Sequence, residues 1–308
     1  MELTRRQALA GMAMASRAAA QGRPGNGPKP RTTPAVCLYS QALIKVPYDE
    51  LGPILRDLGV DGCDLSVMAG GHVRPEQASL DLMRGVEAIT GVCLDVPVIS
   101  TVITSLADPN IRGVAAVAGE MGVPLFRAGH WKYTAAEVEA RLGEVQRDIA
   151  GLASLARAVN MAVAIQNVAG DYVGAAIWDI HMMIRGMDPR TVGYDFDIGY
   201  AVAQGGVGGW PVALRLALAR VKMVSVRDFV WSKDPGGAWK MTPCPLGEGM
   251  VEWPKFFAAL AGVRFAGPIS IQVDYQPKDE LAAIRRDVEF VKKQVSAAYA
   301  GAGPFRLG

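Results

Sequence analysis

From residue 35 onward the chain repeats one pattern, a short apolar run followed by a longer amphipathic one. The apolar runs fall at 35–41, 60–67, 92–101, 124–128, 161–168, 192–197, 221–226 and 268–273. Helical periodicity fills the spaces between them, most clearly where Val138, Leu142, Val145, Ile149, Leu152, Leu155 and Val159 recur at steps of three and four. Other helices are expected at 48–58, 77–89, 177–187, near 211–220, at 253–261 and from Leu281 to Val295, with Asp108-Pro109 opening one more. The stretch from Phe229 to Gly249, rich in Gly, Pro and Trp, reads as a loop. Strand–helix alternation predicts a parallel sheet with helical crossovers, and eight such units are enough to close a barrel. An open doubly wound sheet is the alternative, but no GxGxxG follows the first strand. The expected fold is α/β, a single-domain (β/α)8 TIM barrel over 35–300 with a tail at 301–308. Its 308 residues accommodate a barrel of about 250 residues plus extensions.

The first 34 residues stand outside this pattern. Thr4-Arg5-Arg6-Gln7-Ala8-Leu9 sets paired arginines before a short apolar run, and Ala18-Ala19-Ala20 offers a small-residue cleavage site. This order resembles a twin-arginine export signal over 1–20, which implies a periplasmic or extracellular mature protein. Residues 21–34, rich in Gly and Pro, read as a flexible linker. A formal net charge of +2 gives no reason to expect nucleic acid or a charged membrane surface as partner. No apolar run reaches the roughly 20 residues of a membrane span. Cys37, Cys63, Cys93 and Cys244 show no metal-binding spacing, and no disulfide pairing follows from the sequence. Homo-oligomerisation is left open, as is contact of Trp231 and Trp239 with a neighbouring subunit.

Several strand-like runs end in polar residues, and side chains at alternate positions of a strand share a face. Val192-Gly193-Tyr194-Asp195-Phe196-Asp197 brings two carboxylates to one side. Gln166-Asn167, Ser225-Val226-Arg227-Asp228 and Gln272-Val273-Asp274 end other strands the same way, and Arg127, His130 and Trp131 follow the fourth. In a parallel barrel these ends converge on one mouth, where active sites lie. His72 sits in a loop after the second strand. Amides, carboxylates and aromatic rings suit a small sugar or polyol. On position alone Asp197, Asp195, His130 and Glu248 are the candidate acid/base groups. Gln166, Asn167, Arg127, Trp131, Ser225, Arg227, Asp228, Gln272 and His72 are candidate substrate contacts. Internal hydrogen bonding is the plain alternative for the amides, a structural ion pair for Arg227 and Asp228, and a loop-holding role for Glu248. His181, mid-helix, is set aside.

Gly59-Val60-Asp61-Gly62-Cys63-Asp64-Leu65-Ser66, the run Val192 to Tyr200, and Pro245-Leu246-Gly247-Glu248-Gly249 with Trp253 together resemble the xylose-isomerase-like sugar isomerase/epimerase superfamily over about residues 35–298. That resemblance implies a divalent metal held by Glu, Asp, His and Glu at four strand ends, which fixes substrate oxygens while a proton moves beside a carbonyl. Here Gln166, Ser225 and Gln272 stand where the first Glu, the His and the last Glu are usual. Asp197 is the one ligand position retained, and Tyr200 replaces the His that usually follows it. Neutral amides and a hydroxyl hold Mn, Mg or Zn far less well than carboxylates and imidazole. The expectation is a barrel with no cofactor, the metal being disfavoured. Its chemistry is that of an isomerase, epimerase or lyase; the alternative is a non-catalytic barrel that binds a carbohydrate or a partner.

Overall fold

The computed structural model describes residues 32–135 and 137–301; the segment expected to be an export signal and most of the expected linker lie outside them, as do residues 302–308. The chain runs β1 (Val36–Tyr39), α1 (Leu51–Leu58), β2 (Gly62–Val67), α2 (Ala78–Thr90), β3 (Asp95–Thr101), α3 (Ile111–Glu120), β4 (Leu125–Arg127) and α4 (Val138–Ala158). It continues with β5 (Ala162–Gln166), α5 (Ile177–Ile184), β6 (Val192–Asp197), α6 (Ile198–Ala217) and β7 (Val221–Val226). A hairpin follows, β8 (Asp228–Lys233) and β9 (Trp239–Cys244), and then α7 (Trp253–Gly262), β10 (Ile269–Ile271) and α8 (Glu280–Ala300). Strands β1 to β7 and β10 form a closed, wholly parallel barrel in the order β1-β10-β7-β6-β5-β4-β3-β2. The eightfold alternation read from the sequence therefore closes as expected.

Alternation along each strand sorts the side chains into two cores. Val192, Tyr194 and Phe196 of β6 face the helices and join the large apolar cluster there, as do Val163 and Ile165 of β5 and Val224 and Val226 of β7. The opposite face lines the interior. Val98, Leu125, Ala162, Ala164 and Met223 form a separate apolar cluster at its floor. Above that floor the inward positions turn polar: Asp64, Ser100, Arg127, Asp195, Ser225 and Ser270 are all buried. The last inward positions, toward the carboxyl ends of the strands, are Gln166, Asp197, Arg227 and Gln272.

Two expectations fail locally. The stretch 229–249 is not a plain loop, because Asp228–Lys233 pairs antiparallel with Trp239–Cys244. The hairpin leaves Trp231 42% and Trp239 66% exposed, so no one-sided apolar alternation marked its strands. The helix expected near Pro211 starts at Ile198, where Asp197 caps it by accepting from the Tyr200 amide at 3.0 Å. A non-helical Gly206 then kinks it.

The run Pro245 to Gly249 is held by one carboxylate. Asp228 accepts from the amides of Phe229 (2.9 Å), Gly247 (3.0 Å), Gly249 (3.1 Å) and Val251 (3.2 Å), and from Trp253 Nε1 (2.9 Å). A Cβ on Gly249 would overlap the Asp228 carboxylate, so this position requires glycine. Asp228 is 2% exposed. It is a loop anchor rather than the substrate contact expected of it. Asp228→Ala should lower stability by about 3 kcal/mol, since several buried N–H groups lose their acceptor together. Urea unfolding checks this; an unchanged midpoint would contradict the anchoring role.

Candidate active site

Two arginines organise the polar interior. Arg127 Nη1 lies 3.5 Å from Asp195 Oδ2 and 3.8 Å from Asp64 Oδ2. Its guanidinium also covers the Tyr39 ring, 4.7 Å from the centroid. Asp64 accepts from Ser100 and, at 2.6 Å, from Ser270, while Asp195 accepts from Ser225 Oγ at 2.9 Å on both oxygens. Burial pulls the Arg127 pKa down, but Asp64 and Asp195 outweigh it and hold that pKa above the ordinary value. Burial pushes Asp195 the other way, up to about 7, against the pull of Arg127.

Arg227 organises the layer above. Its Nε donates to Asp197 Oδ2 at 2.8 Å, and its Nη1 donates to Tyr200 Oη at 3.1 Å and to Asp274. The guanidinium stacks on the Tyr200 ring, 4.2 Å from its centroid. Gln166 Nε2 donates to the same Asp197 oxygen at 3.1 Å, while Gln166 Oε1 lies 2.9 Å from His130 Nε2. With the amide so oriented, the His130 Nε2–H donates and Nδ1 is left as an acceptor. Burial first, and then Arg127, lower the His130 pKa, while the hydrogen bond to Gln166 opposes the shift; the ring, though the residue is partly exposed, is neutral at pH 7. Burial draws the Asp197 carboxyl upward. Arg227, Gln166 and the Tyr200 amide nevertheless converge on it, and Asp197 and Asp274 hold Arg227 charged.

The structure thus brings together Arg127, Asp195 and Ser225 in one layer and His130, Gln166, Asp197 and Arg227 in the next. Asp195 and Asp197 are fully buried with their oxygens engaged, so neither meets a substrate as the direct base expected of it. Arg127 and Ser225 are sealed in the barrel in the same way. Gln272 donates to Ser270 Oγ at 2.8 Å. Asn167 spends its amide on the Asp197 backbone, donating to its carbonyl at 3.0 Å and accepting from its N–H at 2.9 Å.

Three more expected residues lie elsewhere. Trp131 is 4% exposed and donates to Asp148 at 3.2 Å, a core contact. His72 Nε2 lies 3.1 Å from Leu43 O and 3.2 Å from Val46 O, with Nδ1 3.0 Å from Ser40 Oγ. It clasps the chain after β1, and burial lowers its pKa. Glu248 is 57% exposed and pairs with Arg286 at 3.1 Å on the surface. Sequence reading named Asp64 and Asp274 only as members of their runs and passed over Ser100 and Ser270; the same alternate-position rule would have made all four candidates.

A cavity of about 240 Å³ adjoins this layer, lined by Tyr200, Arg227, Asp228, Met241, Pro243 and Asp274. Asp274, 35% exposed, is its accessible carboxylate. A larger cavity of about 530 Å³ opens beside the ends of β1 and β10, between Gln41, Lys45, Tyr275 and Glu280. It holds none of the buried charged residues, so the smaller one is the better site for chemistry. The four positions where a metal would be held do not fit one. Gln166, Asp197, Ser225 and Gln272 supply a single carboxylate, and each is bonded to protein, Asp197 to an arginine. Among the described residues no three His, Cys, Asp or Glu side chains group as metal ligands.

The raised Asp195 pKa fixes a sign. A carboxyl whose folded pKa exceeds its unfolded one contributes its full stability below about pH 4 and loses it as pH rises through about 7. The wild type should therefore lose stability relative to Asp195→Asn between pH 4 and 7, by a difference on the order of 4 kcal/mol. Chemical unfolding at a series of pH values reads this directly; parallel curves would contradict the assignment.

Comparison with known proteins agrees with the geometry. No curated protein matches the chain in sequence. An L-ribulose 3-epimerase structure superposes with a TM-score of 0.68 at 17% identity, over 87% of this chain and 97% of that one. The 3-keto-D-glucoside 4-epimerase of E. coli gives 0.67 at 12%, over 84% and 99%. A probable 3-DHS dehydratase from Bacillus anthracis gives 0.64 at 10%, over 84% and 98%. At these identities the likeness is one of fold. The family model described as xylose isomerase-like TIM barrel matches residues 53–294. With the barrel and that match together, the chain belongs to the xylose isomerase-like TIM-barrel family.

Proposed function

We propose that the protein is an exported isomerase or epimerase that acts on a small sugar or polyol without the divalent ion of its family. The observation that carries this reading is the cavity of about 240 Å³ whose wall combines a guanidinium, a phenol and a partly exposed carboxylate. Moving a proton beside a carbonyl needs a base within reach and a donor to the oxygen where charge develops. Asp274 and neutral His130 are the accessible bases, and Arg227 is the donor. Asp197, Gln166 and Tyr200 act through Arg227 and His130 as positioning residues. The fold neighbours include epimerases of ketoses and of a keto-glucoside, and a dehydratase neighbour keeps elimination within the same proton chemistry.

Incubation with D-allulose, L-ribulose and D-tagatose in heavy water, followed by NMR, tests the reading. Solvent deuterium should appear at the carbon beside the carbonyl of a turned-over sugar, with or without chelator. Asp274→Asn should slow that exchange by about a hundredfold or more. A second reading, a sugar-binding barrel without turnover, draws on the complete burial of Asp195 and Asp197. It expects a sugar to raise the melting temperature, by about 2.7 kcal/mol of stability at a hundred times its Kd, with no exchange in any member of the panel.

Export rests on the order of Arg5-Arg6, the apolar run and Ala18-Ala19-Ala20. Fractionation of cells expressing the full chain should find the processed protein outside the cytoplasm, and Arg5→Lys with Arg6→Lys should retain it inside. Export unaffected by the double variant would contradict the twin-arginine route.

A further inference from the structure

We infer that the Arg227 guanidinium is a tethered cation that takes the place of the divalent ion in this barrel. Neutralising three of four ligand positions would by itself leave Asp197 as an uncompensated buried charge, which is strongly destabilising. Arg227 removes that difficulty. It leaves β7 two residues after Ser225, on the same inward face, and its Nε meets the Asp197 oxygen that also accepts from Gln166. One substituted ligand position, Gln166, and the retained one, Asp197, therefore meet at the arginine, while Ser225 bonds Asp195 in the layer below.

The surroundings are shaped for that side chain. Gly199, in the first turn of α6, has no room for a Cβ, which would collide with Arg227 Cγ. Tyr200 lays its ring against the guanidinium and accepts from Nη1, and Asp274 closes the far side. A guanidinium keeps its charge at any physiological pH and bonds carboxylates through a planar fork, so Asp197 and Asp274 share one fixed counter-charge. Nε and Nη1 are spent on protein. Among the described residues no fully buried side-chain nitrogen lacks a partner, so Nη2, which makes no hydrogen bond of its own, is not sealed from solvent, and Arg227 is one of the residues that line the adjoining cavity. What the cation offers a ligand oxygen is a pair of N–H bonds rather than a metal coordination site.

This inference deepens the metal-free part of the proposed function, and it is tested without any sugar. Manganese titration of the wild-type protein, followed by the EPR signal of free Mn²⁺, should show no stoichiometric uptake, and EDTA should leave the melting temperature unchanged. Arg227→Gln removes the counter-charge and leaves Asp197 buried without one; the melting temperature should fall by about 5 °C or more, and Asp197→Asn in the same chain should restore most of that loss. Arg227→Lys, which keeps a charge at the site, should fold and stay indifferent to Mn²⁺, and it supplies the comparison if Arg227→Gln does not fold. Uptake of one Mn²⁺ per wild-type chain, Mn²⁺ stabilisation of Arg227→Lys, or an Arg227→Gln variant as stable as the wild type would each overturn the inference. An inactive protein that binds no Mn²⁺ would instead count against the sugar chemistry alone.

Discussion

Three carboxylates, Asp64, Asp195 and Asp197, are wholly buried inside the barrel, and everything at its mouth follows from how they are compensated. A lone buried carboxylate is unfavourable by several kcal/mol after relaxation. Arg127 serves Asp64 and Asp195 from β4, and Arg227 serves Asp197 from the end of β7. Seryl hydroxyls from β3, β7 and β10 complete the shells of the first two. Because the carboxylates and their partners together come from six strands, β2, β3, β4, β6, β7 and β10, the polar layers bind the barrel across its width, and moving one member would expose the others' charges.

The same compensation decides which groups are free for chemistry. Groups deep in the network are fully engaged: Asp195 with Ser225 and Arg127, Asp197 with Arg227, Gln166 and the first turn of α6. Those at its edge keep spare capacity. Nδ1 of His130 holds an open lone pair, Asp274 is partly in water, and Arg227 keeps one nitrogen free of protein bonds beside the cavity it lines. Reactivity therefore lies one shell outside the residues that the strand-end carboxylates first suggest. The Asp228 carboxylate does comparable work for the loop over β7, gathering its amides and the Trp253 indole.

The barrel was legible because eight buried strands write period-two apolar runs into the chain, and the helices between them write a period near four. The polar ends were legible for the same reason, which is why Gln166, Asp197, Ser225, Arg227 and Gln272 were found together. The sequence does not carry direction of bonding. Asp228 and Arg227 are neighbours at a strand end, yet one turns to loop amides and the other to the barrel axis. Trp131 and His72 resemble ligand contacts by type, but their partners, Asp148 and the carbonyls of Leu43 and Val46, are distant enough in sequence to leave no local mark. The hairpin after β7 escaped because, beyond the buried Asp228 and Phe229 at its base, its strands are largely open to solvent and carry no alternating burial pattern.

The most direct measurement is a crystal structure of the protein grown in manganese, with anomalous scattering collected at a wavelength where manganese contributes. The expected map shows the Arg227 guanidinium between Asp197 and Asp274 and no anomalous peak among Gln166, Asp197, Ser225 and Gln272. A manganese peak at that position, with Arg227 swung away from Asp197, would contradict the central claim that a tethered arginine has replaced the ion.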